Sequence, residues 1–291
     1  METGDWKLET ETKGDRSLKC RLIAAGIRPS RRLGQNFLLD KNLLAFIARE
    51  ARILPGEIIL EIGPGPGNLT RHLAERADRI LAVETDRRLL DIAREELPGA
   101  AVGWHAGSIL EGGAISPGVL DMLRAAGRPV RVVSNLPYSV ATTAIVALLE
   151  ADIPLREMFV MVQREAGDRL LAVPRTKEYG VTTVLVQAQA VVAHVRDVPA
   201  SVFWPRPEVA SVLIRVTPDP ARRRRIRDYP VFRDTVRRAF QGRRKMLGTI
   251  LRDRWGLTAA AIPPGIRDFA SRRPDALSVE EWVILARELH S

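Results

Sequence analysis

Ile58-Ile59-Leu60-Glu61-Ile62-Gly63-Pro64-Gly65-Pro66-Gly67-Asn68 is the stretch that decides the fold of this chain. Residues 58–62 form a nearly continuous apolar run, the pattern of a strand buried on both faces. The glycines that follow permit a tight turn and a close approach of backbone to a ligand. Asn68 then opens a helix expected over residues 68–76, with Leu69 and Leu73 four positions apart on one face. The strand–turn–helix pattern repeats downstream. Residues 80–84 read as a second strand followed by a helix over 87–96, 101–104 as a weaker third strand, and 130–134 as a fourth followed by a helix from 141 to 149. Residues 158–162, 190–198 and 209–216 read as the fifth to seventh strands, and 111–118, rich in glycine and proline, as a loop. The chain is therefore expected to be α/β, with a Rossmann-like, doubly wound, mostly parallel sheet of seven strands.

The flanks differ. Residues 1–16 are polar, of mixed charge and without a period, and read as a flexible tail. A short helix is expected over 18–26. A loop over 31–38 leads into an amphipathic helix from about residue 40 to 52, with Asp40 as its N-cap. Thr217-Pro218-Asp219-Pro220-Ala221 reads as a linker between a larger domain, residues 17–217, and a small all-helical carboxyl-terminal domain, residues 218–291. In that domain Phe232, Val236 and Phe240 share a helix face, Arg237, Arg238, Arg243, Arg244 and Lys245 fall largely off it, and Ser278-Val279-Glu280-Glu281 is a capping box.

Composition narrows the partners. The chain has 291 residues, 46% of them hydrophobic, enough for one large domain and a small one. One cysteine, Cys20, excludes an internal disulfide and suits a reducing compartment. No apolar run is long enough to span a membrane, and the first residues lack a secretory pattern. The four histidines are scattered, with no metal-ligand spacing. The formal charge is +10 and the pI about 10.5. Only six of 45 basic residues are lysine, and the rest are arginine. Arginine pairs bidentately with phosphate and stacks on bases, so the surplus points to a polyanion such as nucleic acid. The run from Arg222 to Arg225 and the cluster from Arg237 to Lys245 are the candidate grips, although a solvated helix face carries the same pattern.

Two loops carry chemistry. Glu84 ends the second strand, 21 positions after Gly63, where a carboxylate accepts both hydroxyls of a ribose. That arrangement serves a dinucleotide or S-adenosylmethionine. The dinucleotide fingerprint requires a third glycine where Asn68 stands, and a ligand without a pyrophosphate needs no such cradle. The second loop, Asn135-Leu136-Pro137-Tyr138, follows the fourth strand. It places an amide, a carbonyl ahead of or at a proline, and an aromatic ring at the carboxyl end of a strand, where open α/β sheets bind ligands. An exocyclic amine on a planar base suits these groups: the Asn135 side-chain oxygen and a backbone carbonyl accept its two N–H bonds, and the Tyr138 ring stacks on the base. Alone, the tetrapeptide also fits an ordinary strand-to-helix turn with proline at the first helical position.

Taken together these segments resemble the ribosomal RNA adenine N6-dimethyltransferase family, specifically its small-subunit (16S) branch, over about residues 18–289. The resemblance rests on Leu33-Gly34-Gln35-Asn36-Phe37-Leu38, Glu61-Ile62-Gly63-Pro64-Gly65, Asn135-Leu136-Pro137-Tyr138, Gln163-Arg164-Glu165, Tyr179-Gly180, Phe203-Trp204-Pro205-Arg206-Pro207-Glu208-Val209 and Arg243-Arg244-Lys245. It implies S-adenosylmethionine as methyl donor, held by Asn36, Leu38, Gly63, Gly65, Glu84 and Asn135, with Ser108 at the donor's adenine amine, and no metal. It implies Asn135, Leu136, Pro137 and Tyr138 as catalytic residues, Phe203 stacking on the target base from the other side, and Arg243, Arg244 and Lys245 binding RNA. The expected partner is small-subunit ribosomal RNA, the expected state a cytoplasmic monomer. The chain departs at Gly107-Ser108, where the family usually has Gly-Asp. A neutral Ser acceptor is weaker than a carboxylate by about 1 kcal/mol or somewhat more, and Glu111 is a candidate to compensate. Three other readings stay open: a large-subunit enzyme of the antibiotic-resistance type, a DNA adenine methyltransferase, and an RNA-binding assembly factor with weak catalysis.

Overall fold

The computed structural model describes residues 35–290 continuously, together with Cys20, Leu22, Ile23 and residues 26–29. The expected tail, residues 31–34 and most of the helix expected over 18–26 lie outside the described residues. In chain order the elements are β1 (Phe37–Leu38), α1 (Lys41–Glu50), β2 (Ile58–Ile62), α2 (Asn68–Ala74), β3 (Ile80–Glu84), α3 (Arg87–Glu96), β4 (Val102–Ala106), β5 (Leu110–Glu111), β6 (Ala114–Ile115), α4 (Pro117–Ala125), β7 (Val130–Asn135), α5 (Ala141–Glu150), β8 (Leu155–Gln163), α6 (Arg164–Leu171), α7 (Val181–Gln187), β9 (Ala190–Val198), β10 (Phe203–Trp204), β11 (Ser211–Pro218), α8 (Pro220–Arg224), α9 (Tyr229–Phe240), α10 (Leu247–Trp255) and α11 (Val279–Leu289).

One seven-stranded sheet has the order β4-β3-β2-β7-β8-β11-β9. All neighbours are parallel except the two pairs made by β11, which runs against β8 and β9. The chain first winds outward from β2 through β3 to β4, then returns to the other side of β2 with β7. This reversal leaves a crevice between the carboxyl ends of β2 and β7, the place where open α/β sheets bind ligands. Alternate strand residues face opposite layers. Leu60, Val132 and Val160 pack with Val119 and Leu123 of α4 and Ile145 and Leu148 of α5. Ile59, Val133 and Phe159 pack with Leu43, Leu44 and Ile47 of α1 and Leu69 and Leu73 of α2. The helix starts follow local chemistry: Asp40 Oδ1 accepts from the Leu43 N–H at 2.7 Å, and Ser278 and Glu281 close the expected capping box.

Two readings of the sequence need correction. The expected loop over 111–118 contains the β5–β6 hairpin and the start of α4, because Gly112 and Gly113 both take positive φ in the turn and Pro117 opens the helix. The expected linker is ordered: residues 217 and 218 still pair with β9, and Asp219 caps α8 through the Ala221 N–H at 2.8 Å. The helical part then packs on the sheet layer. Phe232, Val236, Leu247 and Trp282 share one core with Tyr179, Val184 and Leu185. Glu150 of α5 accepts from the Tyr229 hydroxyl at 2.9 Å and from Arg233 at 2.7 Å.

An ion network crosses the sheet opposite the crevice end. Arg131 of β7 is 5% exposed and donates to both oxygens of Glu57, at 2.7 and 3.0 Å, and to Glu157 at 2.5 Å. Arg215 of β11 reaches the same Glu157 oxygen at 2.6 Å. Burial disfavours the charged form of Glu57, but the Arg131 hydrogen bonds and charge prevail and hold its carboxyl below the usual range. A depressed carboxylate contributes stability above its ordinary pKa and loses it as pH falls through and below that value. Arg131→Met strands a buried carboxylate, so a loss of about 3–5 kcal/mol at neutral pH is expected. Urea denaturation would show it, with the deficit shrinking below about pH 4; an unchanged midpoint would contradict the network.

Candidate active site

The loops after β2 and β7 leave the sheet side by side, because the strands pair directly, Ile58 with Val130 and Leu60 with Val132. The Ser134 hydroxyl donates to the Ile62 carbonyl and the Leu136 N–H to the Met161 carbonyl at 3.0 Å. These bonds fix where the two turns start. Gly63 has φ +68°, and a Cβ there would lie 2.8 Å from Pro137 Cγ. Gly65, at φ +57°, would bring a Cβ within 3.2 Å of the Phe37 ring. Glycine at these positions is thus a packing requirement as well as a conformational one.

Between the turns lies a cleft of about 280 Å³. Gly63, Gly65, Glu84, Asn36 and Leu38 line it, together with Ser108 just after β4. Asn135, Leu136, Pro137 and Tyr138 line the same cleft. The structure thus brings together every residue expected at the donor and the target amine.

Glu84 is 7% exposed. Its Oε2 accepts from the Gly65 N–H at 3.1 Å and its Oε1 from the Asp86 N–H at 3.0 Å, so the carboxylate and the glycine turn hold each other. The Asn135 side-chain amide donates to the Asn36 carbonyl at 3.2 Å. That bond turns its Oδ1 the other way, and Oδ1 is buried with no hydrogen-bond partner. Tyr138 is half-buried with its hydroxyl 3.1 Å from Ser211 Oγ. Burial raises its phenol above the ordinary value, with the Ser211 bond opposing, so it stays neutral across physiological pH.

The amino-terminal segment is pinned from two sides. Its β1 pairs antiparallel with β10, Phe37 opposite Trp204 and Leu38 opposite Phe203. Asn68, the residue that breaks the dinucleotide fingerprint, donates from its side chain to the Leu38 carbonyl at 2.8 Å.

Several expected residues lie elsewhere or do other work. Phe203 is 5% exposed, packs in the core with Leu38, Leu43 and Val133, and is not on the cleft wall. In this structure it holds β1 in place. A two-residue strand gives no periodicity from which the sequence could tell its faces apart. Arg243 is also tied inward, donating to the Thr176 and Lys177 carbonyls at 3.1 and 2.7 Å and pairing with Asp275 at 3.4 Å. Lys245 pairs with Asp253 at 3.0 Å. Arg244 is exposed and, among the described residues, has no partner. Ser108 is exposed, and its Oγ accepts from the Leu110 N–H at 3.1 Å. Glu111 is exposed in the hairpin, off the cleft wall, and is not placed to compensate. Sequence reasoning missed Glu61, a 2% exposed carboxyl on the cleft wall. The available signal was an acid inside an otherwise apolar, fully buried strand.

Strand order and cleft together define the class, a Rossmann-like S-adenosylmethionine-dependent methyltransferase. A model of the ribosomal RNA adenine dimethylase family matches residues 28–262, and this chain belongs to that family. It is an RNA adenine methyltransferase by that membership. Ribosomal RNA small subunit methyltransferase A of Chromobacterium violaceum is 34% identical over 90% of this chain and 96% of its own length. The protein of the same name from Geobacter sulfurreducens is 38% identical over 91% and 96%. Among solved structures, a dimethyladenosine transferase from Plasmodium falciparum shares the fold, with a TM-score of 0.68 at 21% identity over 84% of this chain and 94% of that one. The 23S rRNA methyltransferase ErmE superposes with a TM-score of 0.57 at 25% identity, covering 88% and 100%. Among the described residues no helix is long and apolar enough to cross a membrane.

Gly63→Ala forces a Cβ into Pro137 at a positive φ. A stability loss of about 1–3 kcal/mol is expected, together with weaker S-adenosylmethionine binding in calorimetry. Wild-type values for both would contradict the close approach of the two turns.

Proposed function

We propose that this chain transfers methyl groups from S-adenosylmethionine to N6 of adenines in a loop of small-subunit (16S) ribosomal RNA, dimethylating them during ribosome assembly as a cytoplasmic monomer. The observation that carries the reading is the Asn135 Oδ1, buried and without a hydrogen-bond partner, on a residue that lines the cleft. A buried acceptor left unpaired is costly, and a ligand N–H relieves that cost. The relatives' shared name, small-subunit methyltransferase, supports the choice of RNA.

The cleft fits the donor on the structure's own features. Gly63 leaves no room for a side chain, Glu84 retains lone pairs for a ribose after its two backbone bonds, and the Asn68 bond to Leu38 replaces the pyrophosphate cradle. Asn36, Leu38, Gly63, Gly65, Glu84 and Asn135 would hold it, with Ser108 toward its adenine. When bound, S-adenosylmethionine supplies a methyl group on a positively charged sulfur.

The chain's own residues then position the amine. Asn135 Oδ1 accepts a hydrogen bond from one N6–H. The Pro137 carbonyl already accepts from the Val140 N–H at 3.1 Å, so the Leu136 carbonyl is assigned the other. With both protons held, the nitrogen lone pair points along the transfer axis, and the Tyr138 ring stacks on the base. The amine gains the methyl group and with it a positive charge, and the acidic ammonium so formed loses one proton to solvent, so positioning and fixed dipoles suffice and no strong base is needed. The target adenine must leave its stack, which single-stranded loops allow most cheaply. Exposed arginines such as Arg237 and Arg244, which have no partner among the described residues, are assigned to RNA phosphates. The reading assigns no metal.

Asn135→Ala is expected to lower methyl transfer by about 10²–10³-fold, read as labelled methyl incorporated into unmodified small subunits, with purified large subunits alongside as the comparison. Full transfer in the variant would overturn the role of Asn135, and preferential labelling of the large subunit would overturn the choice of substrate.

A further inference from the structure

Tyr138 is anchored at both ends, and the far anchor lies on another strand. Its hydroxyl is 3.1 Å from the Oγ of Ser211, the first residue of β11. Because β11 runs against β8, that first residue pairs with Gln163 at the carboxyl end of β8. Ser211 therefore stands at the crevice end of the sheet although it opens its strand. It is fully buried and heads the apolar run Val212-Leu213-Ile214. Among the described residues the Tyr138 hydroxyl is the only hydrogen-bond partner of its side chain. A buried hydroxyl among apolar residues is costly unless paired, so this serine is accounted for by the tyrosine it meets.

The tetrapeptide and the residue before it are thus fastened to three strands. Ser134 bonds the Ile62 carbonyl of β2, the Leu136 N–H the Met161 carbonyl of β8, and Tyr138 the Ser211 hydroxyl of β11. The first two bonds place backbone. The third places a ring. The phenol oxygen lies on the long axis of the ring, so holding it fixes that axis and leaves only rotation about it.

We propose that Ser211 is a positioning residue for methyl transfer: it fixes the axis of the Tyr138 ring, and with it the place where the target base rests beside Asn135. The proposal rests on the reading of Tyr138 as the platform for that base. Ser211 does not line the cleft, so it acts through the ring. Without the bond the axis swings. The base still stacks, but its amine no longer meets the Asn135 oxygen in line with the methyl group. Such a misplacement slows transfer and spares binding, because phosphate contacts supply most of the affinity for RNA.

Methyl transfer to unmodified small subunits, measured as kcat and KM, tests this in the full chain. Ser211→Ala should lower kcat about three- to tenfold, with KM for the subunit and affinity for S-adenosylmethionine within about twofold of wild type. Tyr138→Phe removes the same bond from the other side and keeps the ring, so it should lower kcat by a similar factor. The double variant should be no slower than the slower single variant, because one bond is lost only once. Wild-type kcat in Ser211→Ala overturns the proposal. So do losses that multiply in the double variant, or a raised KM with kcat unchanged. Where Ser211→Ala does not fold, Tyr138→Phe decides: full kcat overturns the assignment, and a lowered kcat at unchanged KM supports it. Absence of transfer by the wild-type chain would instead overturn the functional reading beneath it.

Discussion

A side chain at position 63 would meet Pro137, and this contact between two glycine- and proline-shaped turns constrains everything else in the cleft. The turns belong to strands that are neighbours in the sheet yet distant in the chain, β2 and β7. Their closeness follows from the reversal of winding at β2, and the Ser134 bond to the Ile62 carbonyl fixes it at atomic scale. Given that approach, the Asn135 amide reaches the Asn36 carbonyl, its oxygen is left without a partner, and Asn36 and Leu38 of the amino-terminal segment line the cleft. Move either turn by an ångström and the amine acceptor no longer faces the donor wall, which is the kind of misplacement that positioning catalysis tolerates least.

Charge is sorted in space. Among the described residues the cleft is lined by two carboxyls, Glu61 and Glu84, and by no cationic side chain. That suits a small cation. The exterior carries the arginine surplus, which suits a polyanion. The sorting is not total, since many arginines serve the fold. Arg131 and Arg215 neutralise Glu57 and Glu157 within the sheet, and Arg272 holds Glu281 of the α11 capping box. Arg222 donates to the Gln187 and Ala190 carbonyls, and Arg243 clamps the loop at Thr176 and Lys177. Only part of each basic run is left for RNA, so counting positive charges overstates the grip.

What the sequence made legible follows from the strength of local signals. Residues 58–62, 80–84 and 87–96 have the expected bounds, because a fully buried run and a capped helix declare themselves locally. The cleft was legible too, since its parts sit at strand ends, where the sheet itself brings them together. Longer-range pairings were not. The two-residue strands β1 and β10 exist only because each finds the other 165 residues or so along the chain. The inward roles of Arg222 and Arg243 depend on carbonyls presented by distant loops. Phe203, expected to stack on the target base, packs with Leu38 and Val133 where its strand pairs with β1. Glu61 carried a legible signal, an acid in an otherwise apolar buried strand, and its place beside the cleft follows from the pairing of β2 with β7.

The most direct measurement is a crystal structure of the chain with S-adenosylhomocysteine and adenosine soaked together. The account predicts the nucleoside N6 within about 3 Å of Asn135 Oδ1, its base stacked on Tyr138, and the thioether sulfur on the far side of the amine, in the wall of Gly63 and Glu84. A base bound away from Asn135, or a sulfur with its back to the amine across a closed wall, would contradict it.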